Sequence, residues 1–187
     1  VMSLEENENV GISFQSVPGI LEAYEKVPVN QSIYVYNYND TPKKGILKIL
    51  SEKGDVLCET GNITIPANGK YTADLLLNLD SVGFGKYNFM ISFEGDENVT
   101  MPLKAQVNPR VLVALENSEK SVENLDSITL SLTNMISETL KGKIKVTPPE
   151  GWVVSDGVEF EILPEEAKEI VIPVTAKEKI AFKLITK

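Results

Sequence analysis

Residues 63–72 read Ile63-Thr64-Ile65-Pro66-Ala67-Asn68-Gly69-Lys70-Tyr71-Thr72, and residues 161–170 read Glu161-Ile162-Leu163-Pro164-Glu165-Glu166-Ala167-Lys168-Glu169-Ile170. Each stretch is an alternating run, a proline, a short polar turn, a lysine and a second alternating run. Alternation at period two places successive side chains on opposite faces of a strand. Proline has no N–H to give to a ladder, so it ends one. Each stretch therefore predicts two strands meeting at a corner. Pro66 and Pro164 lie 98 residues apart, about the ~100-residue length of one β-sandwich. The pair predicts an all-β chain of two tandem Ig-like or fibronectin-III-like sandwiches, at 1–108 and 109–187.

Outward from the corners, period two continues. Ile33-Tyr34-Val35-Tyr36-Asn37-Tyr38 is rich in β-branched and aromatic residues, and Ile46–Leu50 follows Pro42 and Gly45. Leu75, Leu77 and Leu79 alternate with Asp74, Leu76 and Asn78. Tyr87, Phe89, Ile91 and Phe93 form a further face, and Val99–Val107 closes the first half. Turn signals at Asn39-Asp40, Lys53-Gly54-Asp55, Gly83-Phe84-Gly85 and Glu94-Gly95-Asp96 punctuate these runs, giving about seven strands. Gly83-Phe84-Gly85-Lys86-Tyr87 resembles a tyrosine corner, in which the phenol turns back onto the backbone just upstream.

Asn108-Pro109 reads as a stiff linker, because the residue before proline is pushed toward extended conformations. Strands are expected at Arg110–Leu115, Ile128–Thr133, Lys143–Thr147, Val158–Leu163, Glu169–Thr175 and Ile180–Thr186, with a loop over Pro148–Trp152. That is six, and a seventh is expected to be absent or supplied from elsewhere. Pro164–Glu169 has helix-forming composition but is too short to stand as a helix, so it reads as a turn. The two halves also align at other points. Ser32-Ile33 matches Ser127-Ile128 and Asn39 matches Asn134 at an offset of 95, while Gly45, Leu47 and Lys48 match Gly142, Ile144 and Lys145 at 97. Gly69 of the first corner becomes Ala167 in the second.

Composition excludes several classes. The net charge is −9, with 8 Lys against 14 Asp/Glu in residues 1–109 and 10 Lys/Arg against 13 in residues 110–187. Neither half offers a basic face for phosphates or for an anionic membrane surface. No apolar run is long enough to span a bilayer. The chain opens at Val1 without a charged-then-apolar leader, so a signal peptide is expected to be absent or removed. There is no histidine and one cysteine, which removes the usual general base, the usual zinc ligands and any internal disulfide. Cys58 is expected to be a packed thiol. No metal or other cofactor is expected. Glu94, Asp96 and Glu97, like Glu5, Glu6 and Glu8, lack the spacing of a calcium loop and read as solvated acids.

The strand Ile128–Asn134, then Pro149-Glu150-Gly151-Trp152, Ile162-Leu163-Pro164 and the lysine-led strand Lys168–Thr175 together resemble the NPCBM-associated, NEW3-type Ig-like domain. The resemblance covers residues 110–187, and the first half only by analogy. It implies a non-catalytic accessory module of secreted or surface proteins in bacteria and archaea, and it brings no catalytic residues. Ala167 departs from its pattern, which has glycine three residues after the proline.

Two features invite a ligand. Trp152 is expected to pack on the sandwich edge, its alternative being a platform for a sugar ring. Tyr34, Tyr36 and Tyr38 put three phenols on one strand face, expected to pack within the sandwich and otherwise to receive sugars or a protein. Asn30, Asn39, Asn62 and Asn98 head Asn-x-Ser/Thr sequences, all in the first half. The expected function is non-catalytic: a spacer, adhesion or assembly module of a prokaryotic cell-surface or extracellular protein. Its partners would be proteins or neighbouring domains of the same polypeptide. The alternative is a carbohydrate-binding accessory module of a larger glycoside hydrolase.

Overall fold

The computed structural model describes residues 11–115, 127–148, 150–154 and 157–176. It is all-β, with no helix among the described residues. The chain divides into two compact units, Val1–Pro109 and Arg110–Lys187. The expected strand Ile180–Thr186 and the acids Glu5, Glu6 and Glu8 lie outside the described residues.

Among its described residues the first unit holds eight strands: β1 (Ile12–Val17), β2 (Ile20–Tyr24), β3 (Val29–Asn37), β4 (Lys43–Leu50), β5 (Val56–Ile65), β6 (Gly69–Leu77), β7 (Gly85–Gly95) and β8 (Val99–Asn108). They form a three-stranded sheet, β1-β3-β6, and a five-stranded sheet, β2-β8-β7-β4-β5. The first strand region serves both sheets. β1 runs antiparallel to β3, the chain breaks at Pro18-Gly19, and β2 joins the other sheet parallel to β8. Gln31, fully buried on β3, donates its side-chain amide to the Pro18 carbonyl at 3.1 Å and so holds the break against the core.

One apolar core lies between the sheets. Ile33 and Val35 from β3 meet Leu47, Ile49, Phe89, Ile91, Phe93 and Leu103 from the larger sheet, none more than 1 % exposed. Each such side chain contributes ~1.5–3 kcal/mol on burial. Gly45 is required by this packing, because a Cβ there would stand 2.7 Å from the Phe93 ring. Strand β5 bulges opposite Leu47. There the Thr60 hydroxyl accepts the Leu47 N–H at 3.0 Å and faces its carbonyl at 3.4 Å, replacing the ladder bonds the bulge removes.

The second unit holds β9 (Val111–Leu115), β10 (Ser127–Asn134), β11 (Leu140–Ile144), β12 (Trp152–Val154), β13 (Val158–Ile162) and β14 (Ala167–Ala176). A four-stranded sheet, β12-β14-β10-β9, accompanies a two-stranded one, β11-β13. Its core gathers Ile128, Leu130, Leu132, Ile162, Ile170, Ile172 and Val174. Two expectations shift. The strand expected at Lys143–Thr147 lies at 140–144, where Gly142 faces Phe160 and a Cβ would meet that ring at 2.8 Å. Trp152, expected in a loop, opens β12 opposite Ala176.

The two corners prove to be one construction in a register different from the one the prolines suggested. Asn37 is 1 % exposed and ends β3. Its Nδ2 donates to the carbonyls of Thr41 (2.9 Å), Ile65 (3.3 Å) and Pro66 (3.0 Å), and its Oδ1 accepts the Asn39 N–H (2.9 Å). Asn134 ends β10 and repeats these four bonds 97 residues on. It donates to Glu138 (2.7 Å), Ile162 (3.2 Å) and Leu163 (3.1 Å) and accepts from the Ile136 N–H (3.0 Å). Pro66 thus corresponds to Leu163 and not Pro164. Asn134 matches Asn37 and not Asn39, and Gly69 matches Glu166 and not Ala167. Asn68 and Glu165 carry the positive φ of the two turns, 47° and 59°. The drift in offset disappears between β3 and β6: Ile33 pairs with Ala73 as Leu130 pairs with Ile170. Adjacent prolines misled the alignment, because the feature conserved by the geometry is a buried amide bound to residues 28 and 29 positions away.

Candidate functional site

Strand β3 is central in its sheet, so its two faces have opposite fates. Gln31, Ile33, Val35 and Asn37 point into the core with at most 1 % exposure. The alternate residues Tyr34 and Tyr36 therefore stand on the outer face and are half-buried there. Tyr38, just past the strand, is 60 % exposed. The expectation that these rings pack inside the sandwich is corrected: the odd-numbered residues occupy the interior, and one strand cannot fill it from both faces.

The outer face is organised by neighbours from both flanking strands. Tyr36 and Tyr38 lie nearly parallel, with centroids 6.3 Å apart and an interplanar angle of 20°, within the range of offset aromatic pairs. The Tyr36 hydroxyl donates to Gln15 Oε1 of β1 at 3.0 Å. Lys70 of β6 sets its ammonium 4.6 Å from the Tyr34 centroid, a cation–π contact. Ser32 donates its hydroxyl to Asp74 on the same face. The result is an aromatic row flanked by one cation, one anion and an amide. Lys70 and Gln15 were not foreseen, because only the pairing of β3 with β6 and β1 brings them beside the tyrosines.

Trp152 is placed by register only; its side chain lies outside the described part of the structure. The Tyr87 hydroxyl donates to the Gly83 carbonyl at 3.0 Å, the bond of a tyrosine corner.

The acidic hairpin between β7 and β8 is solvent-exposed at Glu94 and Asp96, as expected, and its acids also reach β4. Glu94 binds Lys48 Nζ at 2.7 Å, Asp96 accepts the Lys44 N–H at 2.8 Å, and Glu97 binds Lys43 Nζ at 2.9 Å. The Lys48 ammonium lowers the Glu94 pKa, and Glu94 in turn raises that of Lys48. No group of three or more acids or cysteines suited to a metal occurs among the described residues. Cys58 faces Ile49 across β4 and β5 and packs against the core. Burial pushes its thiol up to about 11, which keeps it in the thiol form at neutral pH.

The four Asn-x-Ser/Thr asparagines differ in state. Asn30 and Asn62 are exposed. Asn98 is exposed and uses only its carbonyl oxygen, which accepts the Gly95 N–H at 3.3 Å. Asn39 is half-buried, with its amide nitrogen donating to Asn37 Oδ1 at 2.9 Å and to Glu97 Oε1 at 2.8 Å.

The fold places the chain among all-β, sandwich-type modules. No protein-family model matches it, and no curated protein matches it. Among solved structures it is similar to a family 123 glycoside hydrolase from Clostridium perfringens (12 % identity, 54 % of this chain and 28 % of that one, TM-score 0.38). It is also similar to red sea bream transglutaminase (9 % identity, 91 % and 28 %, TM-score 0.45) and to CBD12 from CALX1.2 (12 % identity, 86 % and 76 %, TM-score 0.38). The chain spans 28 % of the length of each of the first two.

Proposed function

We propose that the chain is a non-catalytic interaction module of a secreted or cell-surface protein, built of two tandem Ig-like copies, the second of NEW3 type. Its working surface is the outer face of the β1-β3-β6 sheet. One observation carries this reading: a row of tyrosines stands outside a core that does not need them. Tyrosine supplies large, rigid contact area at low entropic cost and is enriched where proteins meet partners. The chain has no histidine, the side chain used most often as a general base, which is in keeping with the non-catalytic reading. Its partners are proteins or neighbouring domains of the same polypeptide.

The second reading, a carbohydrate-binding accessory module, is favoured by the same row, where Gln15, Asp74 and Lys70 offer hydrogen bonds beside aromatic surface. Polysaccharide pull-down and glycan-array binding separate the two. Binding that disappears in Tyr36→Ala, with the β-sheet circular dichroism unchanged, selects the carbohydrate reading. Absence of glycan binding, with pull-down of the adjoining domains of the parent polypeptide lost in the same variant, selects the protein-interaction reading. Retention of every interaction in Tyr34→Ala/Tyr36→Ala refutes the assignment of this face.

A further inference from the structure

We propose that Asn62 is the acceptor of an N-linked oligosaccharide, and that Asn39, which heads the same sequence pattern, is not. The pattern Asn62-Ile63-Thr64 lies on β5, the terminal strand of the five-stranded sheet. Asn62 and Thr64 are both exposed, while Ile63 between them is 7 % exposed and anchors the strand to the core. The two groups the modification requires, an amide nitrogen and a hydroxyl two residues on, therefore project together from an extended segment. Space is open beside them: a Cβ added to neighbouring Gly61 would meet nothing within 4 Å.

Asn39 fails on the same criteria. Its Nδ2 is the donor to both Asn37 and Glu97. Asn37 is the buried amide that closes the corner, and Glu97 also holds Lys43. A glycan on that nitrogen would remove one donor and push bulk between the β3 end and the acidic hairpin. The shared pattern thus has two uses here, one a surface acceptor and one a structural tie.

The site also answers a physical need. A terminal strand presents unpaired N–H and C=O groups that template pairing with another chain unless something blunts it. A bulky, solubilising glycan at Asn62 stands on that edge. In the transfer, Asn62 Nδ2 attacks the anomeric carbon of an oligosaccharide carried on a lipid phosphate. The C1–N bond forms as the C1–O bond to phosphate breaks. One amide proton passes to a base of the transferase, and the lipid phosphate departs.

The test is secretion of the full chain from a eukaryotic host with N-linked machinery, followed by glycopeptide mass spectrometry of the folded protein. The peptide carrying Asn62 should be glycosylated and the one carrying Asn39 unmodified. Asn62→Gln and Thr64→Val should each remove the mass of one glycan, and Thr64→Ser should keep it. Tyr36→Ala should leave the glycan in place, which separates this inference from the binding face. An unmodified Asn62 peptide, or a Thr64→Val protein of unchanged glycan mass, overturns the first half of the proposal. A glycan at Asn39 of the folded chain overturns the second.

Discussion

Replacing Asn134 by alanine should cost the second unit about 3–4 kcal/mol. The side chain is 1 % exposed and makes four hydrogen bonds, three as donor and one as acceptor. Two amide hydrogens serve three carbonyls, so one hydrogen is shared. Counting about 1 kcal/mol net for each of three full bonds, and adding part of the penalty for the orphaned Ile136 N–H, gives that range. Domains of this kind are stable by only ~5–15 kcal/mol. With an urea m-value of about 1–2 kcal/mol/M, the midpoint should fall by roughly 2 M. Asn134→Asp should be worse at neutral pH, since it keeps the acceptor but turns a carboxylate oxygen toward three carbonyls. Burial and those carbonyls raise the pKa of such an acid above its unfolded value. Its destabilisation should therefore relax as pH falls and the carboxyl becomes a donor again. Urea unfolding followed by circular dichroism measures the loss, and hydrogen exchange of peptides from β10 and β14 locates it. Asn37→Ala should act likewise on β3 and β6. A loss below about 1 kcal/mol, or an aspartate variant as stable as the parent at pH 7, would refute the cradle as the element that closes each corner.

Thr60→Val should cost about 1–2 kcal/mol in urea unfolding, because it strips the hydroxyl that serves the Leu47 backbone at the bulge, while Thr60→Ser should restore most of it. Glu165→Gly should stabilise the second unit by roughly 1 kcal/mol in thermal unfolding, since a side chain at φ 59° carries a left-handed penalty that glycine escapes. The Glu94–Lys48 pair should contribute most between the unperturbed values of 4.5 and 10.5. Glu94, with its pKa lowered on folding, loses its contribution as pH falls through the folded value. Lys48, with its pKa raised, loses its own as pH rises through the folded value. Lys48→Met should flatten the acid limb of the stability profile, and an unchanged limb would count against the pair.

Much of the fold was legible in particular residues. The runs at 33–38, 46–50 and 87–93 show period two and became β3, β4 and β7. Gly45 and Gly142 aligned correctly because each leaves room for an aromatic ring, a demand that side-chain size alone announces. The Pro18-Gly19 break was not recognised as a change of sheet, because nothing local to β2 names β8, some eighty residues away, as its partner. The tyrosine row was visible as a row, but its face was not. Alternation says that Tyr34 and Val35 point opposite ways and leaves open which way is in. The acidic hairpin is solvated as read, but its surface partners on β4 were not legible, because they lie about fifty residues earlier.

By itself the sequence determined the all-β class, the positions of most strands and turns, and the lack of histidine that removes common catalytic and metal chemistry. Each is a property of short windows or of composition. The tertiary structure alone decided that Asn37 and Asn134 are counterparts and carry the 97-residue offset of Gly45 and Gly142 to the corners, that the tyrosines face outward beside Lys70 and Gln15, and that Asn39 is tied down while Asn62 is exposed. These depend on hydrogen bonds and packing between residues far apart in the chain. Such contacts form only after every strand has chosen its partner and register, and a one-residue slip would reverse which face each side chain occupies.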